Sequence, residues 1–291
     1  MKAMTEVETA IAEATGAAAK IASLTQQFGG SICEAHLAKL VDGRSFFIKT
    51  HAQSKRYRGM FEAEYQALEL LTHADAIRVP EPVAVNAEFI VMEAFTAGSK
   101  AQNWQEQMGR QLALLHQTTR REQFGLDFDN FIGATPQPNA TIDTWVRFWR
   151  ERRLKWQIER FAAAGNQGDP LIPLCWELSE SLDEILDGPP ESAVLLHGDL
   201  WSGNAAADEH GAPIIYDPAS YYGHREAEFG IMQMFGGFDQ TCHAAYAEVW
   251  PLADGHERRI RVYRLYHELN HLNLFGCSYY DSCIKTIRRL L

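Results

Sequence analysis

Two short apolar runs constrain this chain more than any other feature, because each delivers the backbone to polar residues of a particular kind. Val194 to Leu196 runs into His197-Gly198-Asp199-Leu200-Trp201-Ser202-Gly203-Asn204, and Ala212 to Tyr216 ends on Asp217. Between them lie Ala205 to Ala207 and the cluster Asp208-Glu209-His210-Gly211. Apolar runs separated by a polar cluster that closes on Gly read as a β-hairpin. Asn204 then enters the first strand and Asp217 leaves the second, so antiparallel pairing sets an amide oxygen beside a carboxylate at one mouth. Hard oxygen ligands of that kind suit Mg2+ held mainly by phosphates. Asp199, five residues before Asn204, is placed to accept the proton of an incoming hydroxyl. Surface turns also favour His, Asp and Asn. The second apolar strand with its terminal Asp favours chemistry over an incidental turn.

His197, Asp199 and Asn204 keep the H-x-D-x-x-x-x-N spacing of a kinase catalytic loop, and the first ninety-five residues hold matching parts. Residues 6–19 read as a packed opening helix. Ile21 to Phe28 and Ile32 to Val41 read as strands around Gly29-Gly30-Ser31, whose amides either approach a phosphate or form an ordinary hairpin turn. Asp42-Gly43 is a hairpin turn leading into Arg44 to Thr50, where Lys49 shares a face with Phe47. A lysine there either snorkels at a sheet edge or points into a cleft. The helix over 57–72 carries Glu64 on the apolar stripe of Phe61, Tyr65, Leu68 and Leu71. A carboxylate on a buried face is costly unless a cation meets it. Lys49 is the candidate, and such a pair positions the lysine on nucleotide phosphates in kinases. The alternative is an ion pair with no ligand. Two more strands, Val83 to Asn86 and Phe89 to Met92, lead to Glu93-Ala94-Phe95 and a compositional shift at Thr96-Ala97-Gly98-Ser99. The boundary between a first lobe, 1–95, and a second, 96–291, falls there. In a kinase-like protein the backbone of this connector, around Met92, Glu93 and Phe95, would hold the nucleotide base, with Met92 as a wall.

The remaining chain reads as mostly helical. Residues 104–117 are a helix with His116 near its negative end. Phe124 to Gly133 and Thr135 to Asn139 form an aromatic-polar loop that either lines a substrate site or plugs the core. Residues 144–161 and 171–186 are helical, with Arg150, Arg152 and Arg153 on a solvated face. Glu226 and Glu228 are two apart and cannot share a helix face. One therefore points inward, to brace the catalytic loop or meet a substrate, unless both serve only the helix dipole. His267-Glu268-Leu269-Asn270-His271 matches H-E-x-x-H. Asp281 is the one carboxylate side chain that follows it, so the two histidines read as packed helix residues rather than zinc ligands.

A net charge of −11 argues against nucleic acid as partner. No apolar run approaches membrane-spanning length, and Met1 to Glu6 lacks a signal-peptide core. Five scattered cysteines without C-x-x-C fit reduced thiols and a cytoplasmic location. Cys33, just after the glycine turn, is either a redox-sensing thiol or a small buried hydrophobe.

Lys49, Glu64, His197, Asp199, Asn204 and Asp217, in that order, resemble the aminoglycoside/choline-kinase type of small-molecule kinase. More narrowly the chain resembles the fructosamine kinase (ketosamine kinase) family. The resemblance is carried by Gly29-Gly30-Ser31, Phe47-Ile48-Lys49, Phe61 to Glu64, Asn130 to Gly133 with Thr135 to Pro138, Leu196 to Asn204, Tyr216 to Ala219, Tyr222 to Glu226 and Tyr266 to Gly276. It implies an α+β, two-lobed protein-kinase-like fold, with a small antiparallel-sheet N-lobe and a larger, mostly helical C-lobe. It implies ATP as donor, with the γ-phosphate passing to O3 of a ketosamine on a glycated protein or small amine. The phosphorylated product then decomposes and releases the amine. By position, Lys49 contacts the phosphates and Glu64 pairs with it, Asp199 is the base, and Asn204 and Asp217 hold magnesium. His197, Trp201, His224 and Glu226 are candidates for the acceptor. The protein is expected as a monomer or homodimer. The same machinery would serve an aminoglycoside or an amino alcohol such as choline, whereas a nucleotide-binding scaffold would need no base. Glu228 departs from the pattern, standing where related kinases tend to carry Asp, and Phe229-Gly230 is an irregular start for a helix.

Overall fold

A computed structural model describes residues 2–27, 33–52 and 56–291. Gly29, Gly30 and Ser31 lie outside the described residues. In chain order the elements are α1 (Lys2–Thr15), β1 (Ile21–Gln27), β2 (Glu34–Leu40), β3 (Ser45–Thr50), α2 (Met60–Ala74), β4 (Pro82–Val85) and β5 (Phe89–Glu93). Then come α3 (Trp104–Thr118), β6 (Asn130–Ile132), β7 (Thr135–Gln137), α4 (Trp145–Phe148), α5 (Lys155–Phe161), α6 (Leu171–Glu180), α7 (Leu182–Ile185) and β8 (Val194–Leu196). The chain closes with β9 (Ala205–Ala207), β10 (Pro213–Ile215), β11 (Tyr221–Gly223), α8 (Glu228–Phe235), α9 (Gln240–Val249), α10 (His256–Phe275) and α11 (Tyr280–Leu290). These elements form two units, residues 1–104 with 203–219, and residues 105–202 with 220–291.

The first unit is an antiparallel sheet in the order β1-β2-β3-β5-β4. Period-two alternation in β3 sends Phe46 and Ile48 to one face, where they are buried with Val7 and Ile11 of α1 and with Ala38, Leu40, Phe89 and Val91. Phe47 and Lys49 take the other face. Residues 203–219 contribute the hairpin read from the sequence: β9 and β10 pair antiparallel, Ala205 opposite Ile215 and Ala207 opposite Pro213. Its turn is closed by Asp208, whose Oδ1 accepts from the amides of His210 and Ala212 at 2.9 Å each. Three bonds tie the hairpin to the sheet unit: Gly98 N to Ala207 O at 3.0 Å, Ile215 N to Arg78 O at 3.0 Å and Trp104 Nε1 to Ala206 O at 3.1 Å.

The second unit is helical, and Gly230 explains its irregular helix start. A Cβ there would meet the Arg264 amide nitrogen and the Tyr263 carbonyl carbon at 2.8 Å, so only glycine lets α8 lie so close to α10. Residues 124–139 plug the core: Asn130, Gln137 and Asn139 are buried. Gln137 and Asn139 both donate to Asn130 Oδ1 at 2.8 Å, and Tyr266 donates to Gln137 Oε1 at 2.7 Å. Arg153 corrects the expectation of a solvated arginine face. It is fully buried, stacked on Tyr221 and Phe148 at 4.1 and 4.7 Å, and donates to Pro138 O and Asn139 Oδ1 at 2.8 Å. A π-helical stretch, Trp149–Leu154, joins α4 to α5, and a pattern read at 3.6 residues per turn misassigns the face of a residue inside it. No helix among the described residues is long and apolar enough to cross a membrane.

The H-E-x-x-H segment lies on α10. His267 is buried and pushed down to about 3, by burial first and then by the charges of His271 and Arg153. Glu268 accepts from Arg264 at 2.9 Å and from Ser282 at 2.8 Å, which agrees with packed helix residues. An unfolded imidazole takes up its proton below about pH 6.5, while the folded one stays neutral until about pH 3. The unfolded chain therefore binds more protons between those values, and the stability contributed by neutral His267 is lost as pH falls through that window. His267→Gln is expected to lose less stability than wild type between pH 7.5 and 4.5, by roughly 3 kcal/mol. Thermal unfolding at the two pH values reads this, and parallel losses would exclude it.

Candidate active site

In the first unit, Lys49 on β3 reaches Glu64 on α2, with Nζ 2.5 Å from Oε1, and also bonds Asp217 Oδ1. Strand alternation turns Lys49 off the α1 face, and helical periodicity turns Glu64 inward from α2. Burial alone would discharge the lysine, but the carboxylates of Asp217 and Glu64 more than offset that and hold it cationic. Burial pushes Glu64 up; Lys49 opposes the shift and the Asp217 charge adds to it. Asp217 follows the last hairpin residue and has a φ of 60°, a left-handed conformation that non-glycine residues rarely hold. Tyr216 donates its amide to the Asn204 carbonyl at 3.0 Å, so Asn204 and Asp217 both sit at the open end of the hairpin. One amide and one carboxylate are too few to cage a metal. They fit an ion that takes its other oxygens from phosphates and water. No cluster of three or more His, Cys, Asp or Glu able to hold a metal occurs among the described residues.

The connector residues lie in the same unit. Met92 is buried opposite Phe47 in the sheet. Phe95 packs between Phe47 and Tyr216, with ring centroids 5.8 Å apart on each side. Glu93 is paired with Arg78 at 2.8 Å, and that guanidinium also holds Asp208 at 2.8 Å and Glu209 at 3.1 Å. The side chain of Glu93 thus anchors the hairpin turn. Burial pushes the Cys33 thiol up to about 11, with Glu64 adding to the shift, and a thiol so firmly protonated is a poor nucleophile.

In the second unit, β8 pairs antiparallel with β11, Leu196 opposite Tyr221 and Val194 opposite Gly223. That pairing brings the start of α8 beneath the loop of His197 and Asp199. Glu228 accepts from the His197 amide at 2.7 Å and from the Gly198 amide at 3.0 Å, one carboxylate oxygen for each. Gly198 has a φ of 82°, which favours glycine at that bend. His197 is buried, and its Nδ1 accepts from the Asp199 amide at 3.3 Å. The Tyr266 phenol is pushed up to about 12, chiefly by burial, and the charge of Asp199 is among the smaller causes. Asp199 therefore lies within electrostatic reach of α10. Trp201 packs on Phe235, with ring centroids 5.2 Å apart.

Glu226 and Glu228 are both buried, where the sequence reading had one of them turned inward. A 3-10 turn over Arg225–Ala227 precedes α8, so the two residues do not follow α-helical spacing. Both Glu226 oxygens accept from Arg259 at 2.7 Å, and the residue is fully buried, so in this structure its carboxylate pairs with that guanidinium. His224 lies between Trp145 and Tyr263, with centroids 6.1 and 6.4 Å away, and its Nδ1 accepts from the Glu226 amide at 3.4 Å. Burial holds its pKa down. Glu228 was the functional residue hardest to find in the sequence. Its signals were the two-residue spacing from Glu226, which turned one of the pair inward, and the family position where Asp is usual. His116 lies below it, with Nε2 3.9 Å from Glu228 and Nδ1 2.9 Å from the Tyr246 hydroxyl, and burial lowers its pKa.

The choline kinase LicA of Streptococcus pneumoniae matches this fold with a TM-score of 0.66 over 99% of this chain and 100% of its own, at 14% identity. That likeness speaks for the fold alone, which is that of the protein-kinase-like enzymes. The chain belongs to the fructosamine kinase family, whose sequence model matches residues 3–291. The chloroplastic protein-ribulosamine 3-kinase of Oryza sativa subsp. japonica is 39% identical over 94% of this chain and 80% of its own length. A candidate fructosamine-3-kinase of Thermobifida fusca, solved as a crystal structure, matches with a TM-score of 0.88 and 29% identity, over 98% of each chain. Membership of a kinase family implies ATP as the phosphoryl donor.

Proposed function

We propose that this protein phosphorylates O3 of ketosamines, the rearranged adducts of a sugar with an amine, and so begins their removal from proteins and small amines. The observation that carries the reading is the paired Lys49. Its ammonium is kept charged and oriented by Glu64 at 2.5 Å, where a triphosphate would exchange with Asp217 as its second anion. Residues 1–95 would supply the phosphate contacts, with the backbone around Met92, Glu93 and Phe95 holding the base. Residues 96–291 would supply the proton acceptor, the metal seat and the acceptor site.

Asp199 would take the proton of the acceptor hydroxyl as that oxygen bonds to the γ-phosphorus and the bridging P–O bond breaks, releasing ADP. Asn204 and Asp217 would hold magnesium, which when bound neutralises charge developing on the phosphate oxygens. His197 would hold the loop through the Asp199 amide, and Trp201 would face the acceptor. The free thiols Cys33, Cys175, Cys242 and Cys283 support a reducing, cytoplasmic location.

An ADP-release assay with fructoselysine, ribuloselysine, choline and an aminoglycoside tests the reading. Turnover is expected on the two ketosamines and not on the other two. Turnover confined to choline or the aminoglycoside would replace the acceptor class, and ATP binding without turnover on any of them would favour a scaffold.

A further inference from the structure

The C-terminal part of α10 carries an aromatic surface that the phosphoryl-transfer machinery does not use. Phe235, at the end of α8, lies 5.0 Å from the His271 ring; Phe275 and Tyr279 lie 5.4 and 5.1 Å from the same ring. Phe235 and Phe275 are 37% and 55% exposed, well beyond what core packing requires of phenylalanine. The surface is continuous with the catalytic loop, because Phe235 also packs on Trp201, two residues after Asp199. The junction is built closely: Ser202 donates its amide to the Gly236 carbonyl at 3.3 Å, and a Cβ on Gly237 would come within 2.3 Å of the Ser202 Cβ.

His271 gives this surface polarity. Its Nδ1 is 2.8 Å from the His267 carbonyl, an acceptor, so the proton must sit on Nδ1. Nε2 is left as a lone-pair acceptor. Burial lowers its pKa, which keeps the ring neutral near pH 7. Aromatic faces around a neutral imidazole acceptor suit one kind of group, an organic ammonium bearing an N–H. The negative charge of the whole chain, −11, favours a cation as well.

We infer that Phe235, His271, Phe275 and Tyr279 form the subsite for the protonated amine of the acceptor, at the far side of Trp201 from the sugar. The inference rests on the ketosamine reading above and extends it. The enzyme would select sugar adducts over free sugars by the cationic nitrogen attached to C1, with cation–π contacts from the rings and an N–H donated to His271 Nε2. The second half of the H-E-x-x-H motif thereby acquires a role in binding.

The test compares two acceptors, a fructosamine with a secondary ammonium and the matching 1-O-alkyl ether of fructose, which has no charge. Phe275→Ala and Phe275→Leu are expected to raise KM for the ammonium acceptor about five-fold, the factor carried by a cation–π contact of ~1 kcal/mol. KM for the ether and for ATP is expected to stay unchanged, and Phe275→Tyr to keep wild-type behaviour. Equal effects on both acceptors, or none on either, would overturn the subsite. Leu retaining wild-type KM would overturn the role of the ring face. Calorimetric titration of both acceptors separates this inference from the kinase reading. Ammonium-selective binding that Phe275→Ala weakens, in a protein that does not turn the acceptor over, would support the subsite and sink the reaction. Absence of ketosamine binding to the wild-type protein would sink both.

Discussion

Asp199→Asn is expected to lower ketosamine turnover by about 10³-fold while leaving ATP affinity within a few-fold. The substitution keeps the shape of the side chain and removes its capacity to accept a proton. The backbone of the loop is held by other groups, the Asp199 amide on His197 Nδ1 and the neighbouring amides on Glu228, so its course is expected to survive. ATP would be held by the paired lysine and the hairpin residues, which the substitution leaves intact. Single-turnover kinetics and an equilibrium ATP titration check the two halves. Loss of ATP binding together with turnover would make Asp199 a structural residue or a metal ligand, not the base.

Glu228→Ala is expected to affect both folding and rate. It leaves the His197 and Gly198 amides without their carboxylate acceptor in a buried place, and each unsatisfied group costs ~1–3 kcal/mol. A destabilisation of about 4 kcal/mol follows, together with the packing lost around a fully buried side chain. Where the protein remains folded, kcat is expected to fall by at least about 10²-fold, because Asp199 is carried on the loop these bonds hold. Glu228→Gln keeps the volume and one acceptor oxygen, so its loss of stability is expected to be smaller, about half. Calorimetric melting with kcat at 25 °C distinguishes the roles. A lowered melting temperature with wild-type kcat would confine Glu228 to stability.

Much of the candidate site is local and was therefore legible. The hairpin from Asn204 to Asp217 follows from two apolar runs and a turn cluster, signals that act over a few residues. The Lys49–Glu64 pair was legible because each partner broke its own pattern, a cation on an apolar strand and a carboxylate on an apolar helix stripe, and burial makes such breaks costly unless they meet. Arg153, and Glu226 relative to Glu228, were misread for one shared reason. Each sits where the backbone leaves α-helical geometry, in a π-helical stretch and a 3-10 turn, so a 3.6-residue period assigns its face wrongly. What fills their surroundings, Tyr221 and Phe148 for the one and Arg259 for the other, comes from distant parts of the chain.

By itself the sequence determined which residues are candidates for the chemistry and how they are spaced along strands and loops, because spacing and periodicity are properties of a short stretch of chain. Only the tertiary structure decided which buried carboxylate braces the loop, which arginine lies in the core and which histidine of the α10 motif reaches an exposed surface. Those outcomes depend on which partner, tens of residues away, can satisfy a buried charge or amide, and a local pattern holds no information about that partner.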